Sequence, residues 1–184
     1  MRNARFQRAL LLGFDGLADF LESIPQTCPH ELFRRDEGAR SSQIGSDFLV
    51  PDDLIVTTKE NTATEMAALV LPAVGTNHER YPKLQRFMLA NDSTTIAVEV
   101  PVWLTEPDIA AMENKYGTRL FSGSGATSIT GHIDILQVRN GAVHILDYKP
   151  DARTNRPIAQ LTMYALALAH LAGLRLFDII WFTA

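Results

Sequence analysis

The chain has 184 residues, 46% of them hydrophobic, which suits one domain with a sizeable core rather than two. A formal net charge of −4 and a pI near 5.7 argue against a protein that coats nucleic acid by bulk electrostatics, so any phosphate backbone must meet a local basic patch or a metal ion. The single cysteine, Cys28, excludes an internal disulfide and a four-cysteine zinc or iron–sulfur centre.

At the N-terminus Arg2, Arg5, Arg8 and Asp15 interrupt what a secretory signal would need as its apolar core. The longest apolar stretch, from Ala165 to Leu171, is broken by His170 and is far too short to span a bilayer. A soluble, cytoplasmic protein is the default expectation. Phe6, Leu10, Phe14, Leu17, Leu21 and Ile24 recur at spacings of three and four and predict an amphipathic helix, weakened by Gly13 and Gly16 and stopped by Pro25. From Pro25 to about Asp53 the chain is polar and aperiodic. Its charge run, Arg34 to Glu37, reads as solvated surface, and loop with short helix is expected.

Thr62 to Leu71 reads as a helix, with Thr62 as its cap and Glu65 three residues on. Pro72 interrupts it, and a second stretch runs from Gly75 to Leu89. Pro82 lacks the amide that would bond the His78 carbonyl, which predicts a kink or an end there. Asn91 and Asp92 signal a turn. From Thr94 to Leu104, Ile96, Val98, Val100 and Val102 alternate with Ala97, Glu99, Pro101 and Trp103, the period of a strand, and Pro101 places it at an edge or end. Thr105 to Thr118 is loop or short helix.

Two strands follow, Ile129 to Val138 and Ala142 to Lys149, joined through Arg139, Asn140 and Gly141; Asn-Gly is a strong hairpin signal. Ile158 to Ala172 predicts a helix stopped by Gly173, and Phe177 to Phe182 a last strand. A chain that stops inside such a strand leads us to expect a longer gene product. The order of elements implies an α/β sheet with helices packed on it.

The chemistry gathers at the ends of the hairpin strands. Asp147 and Lys149 are two apart on one strand, so they leave the same face about 7 Å apart. That face carries Val143 and Ile145 and points inward until the strand end. Asp134 lies on the partner strand and can neighbour Asp147 across the pair. Two carboxylates that close repel unless a cation sits between them, and oxygen ligands favour Mg²⁺ or Mn²⁺ over zinc. The plainer reading is a salt bridge in which Lys149 neutralises the acids. Gln160 and Tyr164 are four apart and share one side of the following helix, there to bind a phosphate or to sit as a half-buried amide and phenol.

Gly131-His132-Ile133-Asp134, Asp147-Tyr148-Lys149, and Gln160 with Tyr164 together resemble the PD-(D/E)XK nuclease superfamily, and within it the RecB-type exonucleases. More weakly, Gly75 to Glu79 resembles the first family motif, and the likeness covers roughly Gly75 to Phe182. The resemblance implies a restriction-endonuclease-like core, a central mixed sheet flanked by helices, over residues 61–184; residues 1–60, read from their own pattern, form an N-terminal helical and loop region of the same single domain. It implies Mg²⁺ or Mn²⁺ held by Asp134, Asp147, the backbone carbonyl of Tyr148 and His78, with Glu99 standing behind the ligands. Lys149 would position the attacking water, and Gln160 and Tyr164 would complete the catalytic set. Some relatives hold a cysteine-bound iron–sulfur cluster, which this chain cannot.

DNA would be the substrate, met by Arg80, Lys83 and Arg86 around His78 and by Arg153 and Arg156 after Lys149; each also reads singly as ordinary solvated charge. A helicase or recombination protein is the expected partner, and no membrane. The expected activity is a DNA exonuclease of recombination, repair, or phage and CRISPR-associated processing. A catalytically impaired DNA- or helicase-binding module of the same fold, a site-specific endonuclease and a plain α/β domain with a surface ion network are the alternatives.

Overall fold

The computed structural model describes residues 13–34, 39–41, 77–117, 119–121, 128–148 and 157–183, of which 77–80 and 182–183 are described by backbone alone. In chain order they form α1 (Asp15–Thr27), β1 (Ala39–Arg40), α2 (Asn77–Asn91), β2 (Thr95–Leu104), α3 (Glu106–Tyr116) and β3 (Ile129–Arg139). Then come β4 (Ala142–Asp147), α4 (Ile158–Leu171), a short 3₁₀ turn (Leu176–Asp178) and β5 (Ile179–Thr183). The helix expected over Thr62–Leu71 lies outside the described residues.

Asn140 and Gly141 have φ of 52° and 72°, so both central residues of the hairpin turn are left-handed. This is the turn whose twist matches that of the flanking strands. Arg139 pairs with Ala142, so the turn has two residues rather than the three expected, and Arg139 is the last residue of β3. β3 is the central strand. Along one edge it pairs antiparallel with β2; along the other it meets β1, parallel, at Ile129 and Thr130, and β4, antiparallel, from Ile135 to Arg139. β5 adds to β4 in parallel, completing a mixed five-stranded sheet. Pro101 sits inside β2 opposite His132, and β2 pairs with β3 alone among the described strands, so the missing amide falls on an edge strand as expected.

Pleating sorts the core. The cross-strand pair Leu136 and Ile145 enters the main core with α1, α3 and α4, whereas the next pair, Ile135 and Leu146, packs on the opposite face with Leu84 and Met88 of α2. Helices therefore flank a curled sheet on both faces. The even alternation expected along β2 is broken: a bulge lies between Thr95 and Ala97, and Glu99 has φ of 52°. As a result Val98 packs with the α2 cluster and Val100 with the main core.

Neither of two prolines ends its helix. α1 continues through Pro25 to Thr27, and α2 runs unbroken through Pro82 to Asn91. A helix-interior proline removes one hydrogen bond and strains the preceding turn. Here the packing of neighbouring residues outweighs that loss: Leu84, Gln85 and Met88 are buried on α2, and Leu17, Ala18 and Phe20 on α1. Gly13, at φ of 91°, precedes α1 rather than weakening it, and Gly16 lets the helix close onto the carbonyl of Ala172 just past α4. The region from Thr105 to Gly117 is a full helix, α3. The Asp108 carboxylate accepts hydrogen bonds from the Thr105 amide at 2.8 Å and hydroxyl at 2.6 Å, and Gly117 closes the far end at φ of 65°. Among the described residues no helix is long and apolar enough to cross a membrane.

Candidate active site

The hairpin ladder sets the geometry. Its last rungs pair Leu136 with Ile145 and Ile135 with Leu146, and just beyond them Asp134 and Asp147 lie near enough for the charge of one to act on the other. The two-residue turn thus fixes the neighbourhood that the spacing predicts. Asp147 is 1% exposed. Asp134 has its carboxyl pushed up to about 6, first by burial and then by the charge of Asp147. Opposing that rise, Tyr81 of α2 donates its hydroxyl to Asp134 Oδ1 at 2.6 Å, and the Tyr148 amide donates to Oδ2 at 2.8 Å.

On the α2 side, the roles of Tyr81 and Gln85 were not foreseen. One turn after Tyr81, Gln85 donates through Nε2 both to Glu99 Oε1 at 2.7 Å and to the Asp134 carbonyl at 3.2 Å. The Tyr81 and Tyr148 rings lie stacked, 6.3 Å between centroids with planes 24° apart. Burial, followed by the nearby Asp134 and Glu99, drives the Tyr81 phenol far above its ordinary range, so it stays a donor. A signal for this face existed in the spacing Tyr81, Leu84, Gln85, Met88, which is that of a half-buried helix stripe.

On the other face Gln160 and Tyr164 meet as expected, Gln160 Nε2 donating to the Tyr164 hydroxyl at 2.7 Å. Ser41, just past β1, adds a second hydrogen bond to that hydroxyl at 3.0 Å. Tyr164 is only 3% exposed, a buried residue rather than a half-exposed one. Burial, helped by the charges of Asp147 and Asp134, keeps its phenol protonated. Gly131 makes room for this arrangement: a Cβ there would overlap the Tyr164 ring and come within 2.5 Å of Ser41 Oγ. Ser41 carries no sequence signal, because its partner lies 123 residues away.

The remaining expected residues divide plainly. Lys149, Arg153 and Arg156 lie outside the described residues, as do the side chains of His78 and Arg80 on α2. Lys83 and Arg86 are exposed on α2. Glu99 lies by the ladder register beside Asp134 and is tied to α2 through Gln85. His170 bridges α4 to α3 through Asp108 at 3.0 Å.

Two adjacent carboxylates, one buried and the other raised by its neighbour, are a donor set suited to a hard divalent cation. Among the described residues no three His, Cys, Asp or Glu side chains group to hold an ion, so the pair needs further ligands such as a backbone carbonyl. Among curated proteins none matches the sequence significantly. A family model described as the PD-(D/E)XK nuclease superfamily matches residues 42–180, the span that contains the hairpin, α2 and α4. The mixed sheet flanked by helices is consistent with that family's restriction-endonuclease-like fold, and the chain belongs to the PD-(D/E)XK nuclease superfamily.

Proposed function

We propose that the protein is a divalent-metal-dependent deoxyribonuclease of the RecB-type exonuclease branch, leaving 5′-phosphate and 3′-hydroxyl ends during recombination, repair, or phage and CRISPR-associated processing. The observation that carries this reading is the pairing of buried Asp147 with Asp134, whose carboxyl is pushed up to about 6 partly by Asp147. The fold thus holds two carboxyl groups side by side, where an uncompensated pair of like charges is unfavourable. Asp134, Asp147, the Tyr148 carbonyl and His78 would hold Mg²⁺ or Mn²⁺, which would supply positive charge to a phosphoryl oxygen and acidify a water.

The chain's own groups do the rest. Tyr81 and the Tyr148 amide hold the Asp134 carboxylate by one oxygen each. Lys149, two residues after Asp147, orients the attacking water and offsets charge on the phosphate. Tyr164, held by Ser41 and Gln160, backs the acid pair from α4. Arg80, Lys83, Arg153 and Arg156 supply the phosphate contacts that a net charge of −4 does not.

End-labelled single-stranded, double-stranded, end-blocked and circular DNA incubated with Mg²⁺ or Mn²⁺ tests this. Degradation of free-ended DNA, with blocked and circular forms spared, is expected. Asp134→Ala and Asp147→Ala should each lower the rate at least a hundredfold while far-ultraviolet circular dichroism stays unchanged. Full activity in either variant refutes the assignment, and cleavage of closed circles replaces the exonuclease reading with an endonuclease.

A further inference from the structure

α2 does more than cover the sheet. Tyr81 and Gln85 lie one turn apart and grip the same residue at two places: Tyr81 bonds the Asp134 side chain at 2.6 Å, and Gln85 bonds its carbonyl at 3.2 Å while holding Glu99 at 2.7 Å. With the Tyr148 amide on Oδ2 at 2.8 Å, both Asp134 oxygens have one fixed donor. A carboxylate oxygen has two acceptor directions, so among the described residues each retains one for another ligand. The carboxylate is therefore set in orientation before any ligand arrives.

We propose that Tyr81 is a positioning residue for Asp134, orienting its carboxylate for a divalent cation, with Gln85 fixing the backbone of the same residue. This rests on the reading of Asp134 as a cation ligand. Holding a ligand through an outer hydrogen bond changes metal affinity or activity by about 10- to 100-fold when the bond is removed. Tyr81 touches neither the scissile phosphate nor the reacting water in this scheme; it acts through Asp134.

The test is Tyr81→Phe, which keeps the ring and its stacking on Tyr148 and removes only the hydroxyl. Mn²⁺ binding is measured by calorimetry on the full chain, beside kcat, KM and the melting temperature of the metal-free protein. The expected result is a roughly tenfold weaker Mn²⁺ affinity and a comparable fall in kcat, with KM for DNA within about twofold of wild type. Gln85→Met, which removes the amide at similar volume, is expected to weaken Mn²⁺ binding in the same direction. Should Tyr81→Phe fold poorly, Gln85→Met carries the test alone. Mn²⁺ affinity unchanged in the folded variants overturns the inference while leaving the nuclease reading intact. A wild-type protein that binds neither Mn²⁺ nor Mg²⁺ overturns that reading, and this inference with it.

Discussion

Gly131 lies against the ring of Tyr164, so closely that a single added methyl would overlap the ring and the Ser41 hydroxyl at once. The two residues belong to β3 and α4, and their contact ties the first acid strand to the helix that follows the hairpin. Gly131→Ala should therefore destabilise the fold by about 1–3 kcal/mol, the usual range for forcing extra volume into a packed core. Chemical denaturation of the metal-free protein measures it. Adding Ser41→Gly removes one of the two overlaps and should recover part of the loss; no loss in the single variant would mean that Tyr164 does not sit where described.

Asp134 gives a pH dependence with a definite sign. Its folded carboxyl is pushed up to about 6 from an ordinary 3.8, so the folded protein binds that proton more tightly than the unfolded chain does. Between these values the unfolded state carries fewer protons, and stability falls as pH rises, reaching its full loss above about 6. The loss is of order 2 kcal/mol once partial solvent contact is allowed for. Denaturation midpoints at pH 4.5 and 7.5 without metal test this against Asp147→Asn, in which the drop should shrink because the second-largest cause is gone. An equal drop in both proteins would show that Asp147 is not what raises Asp134.

Removing or adding the ion should act on the same pair. At pH 7.5, saturating Mn²⁺ is expected to raise the melting temperature of the wild type by several degrees, since a ligand bound only by the folded state stabilises it by mass action. Asp134→Ala and Asp147→Ala should show no such rise, and chelation should reverse it in the wild type. A rise of equal size in either variant places the ion elsewhere.

Glu99 sits at φ of 52° in the middle of β2, a conformation that L side chains other than Asn and Asp rarely adopt. The left-handed region disfavours such a residue by roughly 1–2 kcal/mol, against about 0.5–1 kcal/mol for the extra freedom glycine loses on folding. Glu99→Gly is thus expected to leave stability level or raise it, where a mid-strand glycine ordinarily lowers it. Its nuclease rate should fall at the same time, since strain kept in a strand beside Asp134 is the pattern of a functional position. A clear loss of stability would show that the Gln85 contact outweighs the backbone strain.

Gly16 inverts the usual helix preference. Alanine is favoured over glycine in a helix by about 1 kcal/mol. At this position its methyl would run into the Ala172 backbone, which has no flexible end to move aside. Gly16→Ala should lower the melting temperature despite the better propensity, with α1 displaced from α4. An increase would show that the approach of α1 to α4 is looser than described.

The parts of the site that were legible are local ones. The β3–β4 hairpin was readable because alternation marks both strands and Asn140-Gly141 fixes the turn between them, so Asp134 and Asp147 follow as neighbours from residues only 13 apart. α4 with its Gln160 and Tyr164 was readable for the same reason, since one turn of helix places them together. α3 could have been read as a helix from Thr105, Asp108 and Gly117.

What the amino-acid order settled on its own, then, is the acid hairpin, the helix after it and the family pattern they form, all written in spacings of two to four residues. Folding alone decided that a two-residue β1 would join the sheet, that Ser41 would reach Tyr164, and that Tyr81 and Gln85 would take hold of Asp134. It also decided that Pro25 and Pro82 would remain inside helices. Those outcomes depend on surfaces brought together from distant parts of the chain, where burial outweighs local preference, and no short-range periodicity encodes which surfaces will meet.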